Sequence, residues 1–172
     1  MTNPQVIIKG DKGELFAITR LEIVPLEFPE QGLVVPVISA DAKGRLISTL
    51  KNHTGKRPDG GAMKIMAEVD ARGFSAKYDD IWLWPTLYEN FIDQLAVVER
   101  ERTSKATLTS SSPEELILTI RCVGRAGHWI LEGQVGRYVL LRDDFAVLKC
   151  NFAFVPTADL AQLLGDFRLF AK

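Results

Sequence analysis

Two histidines, His53 and His128, are the only imidazoles in this chain of 172 residues. His53 lies in the polar stretch Asn52-His53-Thr54-Gly55-Lys56-Arg57, and His128 opens an apolar run beside Gly127. Neither histidine has a second one near it, and Cys122 and Cys150 are too far apart for metal-ligand spacing, so no structural zinc site is expected. His128 has two readings. It is a strand-end residue bonding a turn carbonyl, or it is a general base with Glu132 or Asp80 as its acidic partner. The nucleophile signature Gly-x-Ser-x-Gly is absent, and Ser110-Ser111-Ser112 before Pro113 reads as a turn. Gly133-Gln134-Val135-Gly136 falls inside a strand run instead of between a strand and a helix. It therefore reads as a bulge or a close backbone approach, not a phosphate loop. No cofactor is implied.

Carboxylates pair at Asp79-Asp80, Glu114-Glu115 and Asp143-Asp144. Neighbours in a strand point to opposite faces, so adjacency alone makes no acid/base dyad. Asp143-Asp144 reads as a hairpin turn. Asp79-Asp80 runs into Ile81-Trp82-Leu83-Trp84, with Tyr78, Trp82 and Trp84 on one parity and Asp80 among them. Tyr88 follows at the start of the next element. Rigid aromatics beside carboxylates suit a protein-binding hot spot, anchors for affinity and charge for selectivity. The competing reading places Trp82 and Trp84 in the core beneath a helix.

The elements that must position these residues follow from periodicity. Val6–Lys9, Glu14–Phe28, Leu33–Ala40, Arg45–Leu50, Met63–Val69 and Phe74–Leu83 read as strands. Asp41-Ala42-Lys43-Gly44 and Asp70-Ala71-Arg72-Gly73 serve as hairpin turns. Pro25 and Pro29 argue that the second strand is an edge or ends there. Leu87, Phe91, Leu95 and Val98 recur at helical spacing, and Thr86 with Glu89 matches a capping box, predicting a helix over 87–101. Ala106–Ser110, Leu116–Val123, His128–Leu141 and Phe145–Phe154 read as further strands, the last two long. Leu160, Leu163, Leu164, Phe167 and Phe170 form one face of a final helix over 157–170. In His128–Leu141, Trp129, Leu131, Val135, Val139 and Leu141 share one face. The other carries His128, Ile130, Glu132, Gln134 and Tyr138 and meets solvent or a partner. Short hairpin links imply a mostly antiparallel sheet. The expected class is α+β, with two principal amphipathic helices packed on one face.

A length of 172 residues suits one domain, and residues 1–60 are read as part of it or as a β-rich N-terminal extension. Hydrophobic residues make up 47% and charged residues 25%, as in ordinary globular chains. With 21 basic and 22 acidic residues, the net charge of −1 argues against direct nucleic-acid binding. No leader pattern or run of about 18 apolar residues is present, so a cytoplasmic protein without membrane contact is expected. Cys122 and Cys150 are expected reduced and mostly buried.

The order of features then resembles a family. Ile81-Trp82-Leu83-Trp84-Pro85 runs into the helix from Tyr88 to Leu95. Pro113-Glu-Glu-Leu-Ile-Leu118 follows, then Gly127-His128 opening a long strand, Phe152-Ala153-Phe154 and a helix from Thr157 to Phe170. Over roughly residues 64–170 this resembles bacterial immunity proteins of the WapI-associated type and related uncharacterised domains. The resemblance implies a cytoplasmic, non-enzymatic antitoxin whose partner is a cognate toxin domain. The expected contact residues are Asp79, Asp80, Trp82, Tyr88, His128 and Glu132. For a nuclease toxin with a basic groove, Asp79, Asp80, Glu132, Asp143 and Asp144 are the acidic complement. Two alternatives stay open: a small enzyme using His128 with an acidic partner, and a structural or assembly subunit.

Overall fold

The structure, a computed structural model, describes residues 3–24, 33–40, 46–53, 61–112, 114–123, 128–141 and 144–172. The elements run β1 (Gln5–Lys9), β2 (Leu15–Val24), β3 (Leu33–Ala40), β4 (Leu46–His53), β5 (Ala62–Ala71), β6 (Phe74–Leu83), α1 (Pro85–Glu101), β7 (Lys105–Thr109), β8 (Leu116–Val123), β9 (His128–Leu141), β10 (Asp144–Phe154) and α2 (Leu160–Phe170). The chain is α+β and every strand pairing is antiparallel. It divides into residues 25–61 and a larger unit of residues 1–24 with 62–172. The smaller unit holds the hairpin β3–β4, registered from Leu33 opposite His53 to Ala40 opposite Leu46. The turns expected at 41–44 and 124–127, the proline-bearing end of the second strand and the loop around Pro58 fall outside the described residues.

The larger unit contains two four-stranded sheets, β1-β2-β5-β6 and β10-β9-β8-β7. They join edge to edge at two seams. At one, the backbone N–H of Ser111 donates to the carbonyl of Trp82 at 2.7 Å. At the other, Gly10 bridges Pro156, Asp11 N–H donates to Val155 O at 3.1 Å, and Thr157 N–H donates to Lys9 O at 2.9 Å. Between the sheets lies one core. Phe16 from β2 stacks on Phe152 from β10 with ring centroids 5.2 Å apart, and Ile8, Ile65, Ile81, Leu108, Leu118 and Leu131 are fully enclosed. Each such side chain contributes roughly 1.5–3 kcal/mol by leaving water.

The alternation read from the sequence decides the buried faces. Trp129, Leu131 and Val135 of β9 are buried, while Ile130, Glu132 and Gln134 are partly exposed. The turn between β5 and β6 is tighter than the four residues expected. Arg72 and Gly73 alone form it, at φ 51° and 82°, the two positive values a type I′ turn needs. Gly133 of β9 proves to be a close approach: a methyl there would meet the Ile117 carbonyl of β8 and stand 2.9 Å from the Phe152 ring. Cys122 and Cys150 are free thiols, partly buried against the core.

The second helix buries the stripe expected; α1 buries Phe91, Leu95 and Val98 of its stripe, with Tyr88 buried where Leu87 is only partly so, and the starts of both differ. Trp84 is the N-cap of α1, with no side-chain cap, and Thr86 lies inside the helix. Pro85 explains the shift, because its fixed φ and missing N–H suit the first helical position. The second helix begins at Leu160 after the N-cap Asp159, three residues later than the 157 expected. Thr157 is taken by the seam, where its N–H and its hydroxyl both donate to Lys9 O. The packing of both helices on one sheet face is not confirmed. Instead α1 lies on β7 and β8 of one sheet, and α2 lies on β1 of the other and on α1. The helices meet through Phe91 and Phe167, edge to face at 4.9 Å.

Candidate functional site

The strongest site feature is an irregularity in the pairing of β5 with β6. Ile65 faces Ile81, yet the next inward residue, Ala67, faces Tyr78, so Asp79 and Asp80 together oppose Met66. That is a β-bulge, with one extra residue on β6. It resets the parity of the strand. Cross-strand partners share a face, so Tyr78 turns inward with Ala67 and packs against the core. Asp79 and Asp80 are left exposed. The sequence expectation that Tyr78, Trp82 and Trp84 share a face with Asp80 is therefore corrected at Tyr78.

Lys64 of β5 lies beside the bulge. Its Nζ is 2.9 Å from Asp80 Oδ1 and 5.9 Å from the centroid of the Trp82 ring. The hydrogen bond to Asp80 raises the Lys64 pKa, against the opposing effect of burial. Trp82 and Trp84 are both half-buried, so each combines core contact with a presented edge. The Trp82 carbonyl also accepts the Ser111 hydroxyl at 2.7 Å. The triple serine, expected as a turn, thus clamps the end of β6. Leu116 N–H donates to Ser110 Oγ at 3.1 Å, and Ser110 Oγ donates to Ser112 O, closing the turn.

Beneath the bulge sits Glu115, 8% exposed, which sequence reasoning did not single out. Burial, then the charge of Asp80, pushes its pKa up, while hydrogen bonds from Tyr78 and Ser112 pull it down. Tyr78 is shifted upward in turn, by burial first and then by Glu115. The adjacent pair does point to opposite faces: Glu114 is exposed and lies 3.3 Å from Lys149 Nζ.

The other expected contact residues do not converge here. Tyr88 is a correction: it is 3% exposed, and its hydroxyl donates to Phe167 O at 2.5 Å. Its ring meets Phe170, with centroids 6.0 Å apart. Burial drives the Tyr88 pKa strongly upward, opposed by the charge of Arg20, so the hydroxyl remains a donor. Tyr88 is core, not surface. His128 is exposed at the start of β9, opposite Val123. Glu132 is engaged by Arg121 through two bonds of 3.1 and 3.3 Å, a bidentate cross-strand pair. Glu132 lies four strand positions beyond His128, about 13 Å of rise, too far to share a proton. Asp143 lies outside the described residues, and Asp144 opens β10 instead of closing a turn.

Among the described residues, no group of three or more His, Cys, Asp or Glu is placed to hold a metal ion, and no helix is long and apolar enough to cross a membrane. What the arrangement offers chemically is a fixed acidic pair flanked by an indole and one lysine. No protein-family model, curated protein or solved structure matches this chain.

Proposed function

We propose that this chain is a non-enzymatic binding protein of the cytoplasm, an immunity protein that neutralises a cognate bacterial toxin domain by direct contact. The observation that carries the reading is the bulge at Asp79-Asp80, which holds two exposed carboxylates beside the half-buried Trp82. Bulges are built-in features that re-aim side chains, and here the result is charge next to a rigid aromatic anchor. A basic toxin groove is the complementary surface, met first by charge and then by burial of the indole. The enzyme alternative loses its acidic partner, because Glu132 is tied to Arg121 and Asp80 to Lys64.

The test is stoichiometric binding to the toxin domain encoded beside this gene, followed by calorimetry and stopped flow. Trp82→Ala is expected to weaken binding by about 2 kcal/mol or more. Asp79→Ala and Asp80→Ala are expected to slow association and flatten its salt dependence. Unchanged binding in all three variants refutes this surface. Turnover of a small substrate that disappears in His128→Ala refutes the antitoxin reading itself.

A further inference from the structure

On the seam that joins β1–β2 to β10 there is an open pocket of about 200 Å³. Its floor is Glu14, whose side chain is 2% exposed. Lys12 N–H donates to Glu14 Oε2 at 2.9 Å. Gly10 makes room for this: a methyl there would lie 2.5 Å from Glu14 Oε2 and 2.9 Å from Phe154. The walls include Ile130, Ala153 and Val155, and Asp11 adds a second carboxylate to the lining. Arg72, from the β5–β6 turn, reaches in from the rim. Its Nε stands 3.8 Å from Glu14 Oε1, and its side chain is 72% exposed.

We propose that this pocket receives a lysine or arginine side chain from a partner polypeptide, its alkyl stem along Ile130, Ala153 and Val155 and its cation on the Glu14 carboxylate. Three observations lead there. The volume falls below the roughly 300–1,000 Å³ typical of small-molecule sites and suits one side chain. The floor is an anion withdrawn from water, and buried anions gain most from a close cation. Hydrogen bonding from its own backbone N–H lowers the Glu14 pKa most; burial opposes this, and the Lys12 N–H and Arg72 add to the lowering, so the group is ionised at neutral pH. Finally, of the two cations that act on Glu14, Arg72 and Lys12, Arg72 is an occupant that can leave, since an exposed pair at 3.8 Å is weak. Phe74, 74% exposed on the same hairpin as Arg72, supplies an aromatic neighbour for a docked chain. The site lies on the opposite end of β6 from the acidic bulge, and it does not rest on the toxin reading.

The experiment is an amide NMR titration of the full chain with acetyl-Gly-Arg-Gly-amide, n-butylguanidinium, n-butanol, and sodium chloride at matched ionic strength. Saturating shifts at Lys12, Glu14 and Val155 are expected with the peptide and with butylguanidinium only. Glu14→Gln should weaken peptide binding about tenfold, the loss expected for one charge-assisted hydrogen bond. Arg72→Ala, which removes one of the two competing cations and leaves Lys12, should tighten it about two- to fivefold. Shifts that follow ionic strength alone, or unchanged affinity in a folded Glu14→Gln, overturn the proposal. So does binding of butylguanidinium without the peptide, which would leave a small-molecule cation site and no polypeptide partner. Should Glu14→Gln fail to fold, Arg72→Ala decides, and no gain in affinity refutes the pocket.

Discussion

Replacing Tyr88 by Phe deletes one hydroxyl at the junction of the two helices. The carbonyl that hydroxyl serves belongs to Phe167, in the last turn of α2, where helical carbonyls have no partner further along the helix. Arg20 does the same for Phe170 O, at 2.6 Å. The Tyr88 ring would keep its contacts with Phe91, Phe167 and Phe170, at centroid distances of 6.4, 6.5 and 6.0 Å, so packing changes little. What remains is a buried acceptor without its donor, at a cost of about 1–3 kcal/mol. For a chain of 172 residues, a loss near 2 kcal/mol corresponds to a fall in Tm of roughly 4–8 °C. Urea unfolding followed by fluorescence should show a lower midpoint at unchanged slope, and the amides of α2 should exchange faster than those of β9. A change below about 0.5 kcal/mol would show that Phe167 O is served by another donor, and the account of how α2 is fixed would fall. Toxin binding should be unaffected, because a residue 3% exposed presents nothing to a partner.

The two buried carboxylates predict opposite pH dependence. Glu115, with its folded pKa raised, contributes stability that is fully present below its unfolded pKa and declines as pH rises through the folded value. Glu115→Gln should abolish that decline, seen as a flatter plot of unfolding free energy from the usual carboxylate range towards neutrality. Glu14, with its folded pKa lowered, contributes stability present above its unfolded pKa and lost as pH falls through the folded value. Glu14→Gln should therefore be least harmful in acid, measured by the same urea series. Gly133→Ala should lose about 1–3 kcal/mol, because its methyl would press on the backbone of β8 and on Phe152; a midpoint equal to that of the parent would contradict the close approach of β8 to β9.

Much of the fold was legible where one period ruled one element. The stripe Phe91, Leu95, Val98 and the alternation Trp129, Leu131, Val135 each identify their buried face without knowledge of the partner. The β5–β6 hairpin was visible as a glycine-ended turn between two apolar runs, though two residues form it where four were expected. What escaped depends on pairing across the sheet or on a second element. Nothing in the run Tyr78-Asp79-Asp80-Ile81 reveals that two of its residues face one Met66, so strict alternation put Tyr78 on the wrong side. Tyr88 lies at the margin of the α1 stripe, and only the arrival of α2 decides that it is buried. Thr86 met the capping rule, but Pro85 set the helix start two residues earlier, at 85 where 87 was expected. Glu114 and Glu115 lie in the turn before β8, not in a strand, yet one is exposed and the other buried. Which of the two is buried depends on the seam, and the seam depends on residues some 30 positions apart in sequence, Trp82 and Ser111.

The seam also bears on the proposed recognition by the acidic pair. An exposed strand carrying two carboxylates would splay and gain little from any contact, since ordering loose side chains consumes the energy of binding. Here β6 is held on both sides. Lys64 ties Asp80 to β5, and Ser111 ties the Trp82 carbonyl to the turn before β8 through both its N–H and its hydroxyl. Tyr78, turned inward by the bulge, adds a hydrogen bond to Glu115 from below. The two aspartates are therefore presented from a backbone fixed at three points. The order that a partner would otherwise have to impose is already supplied by the fold.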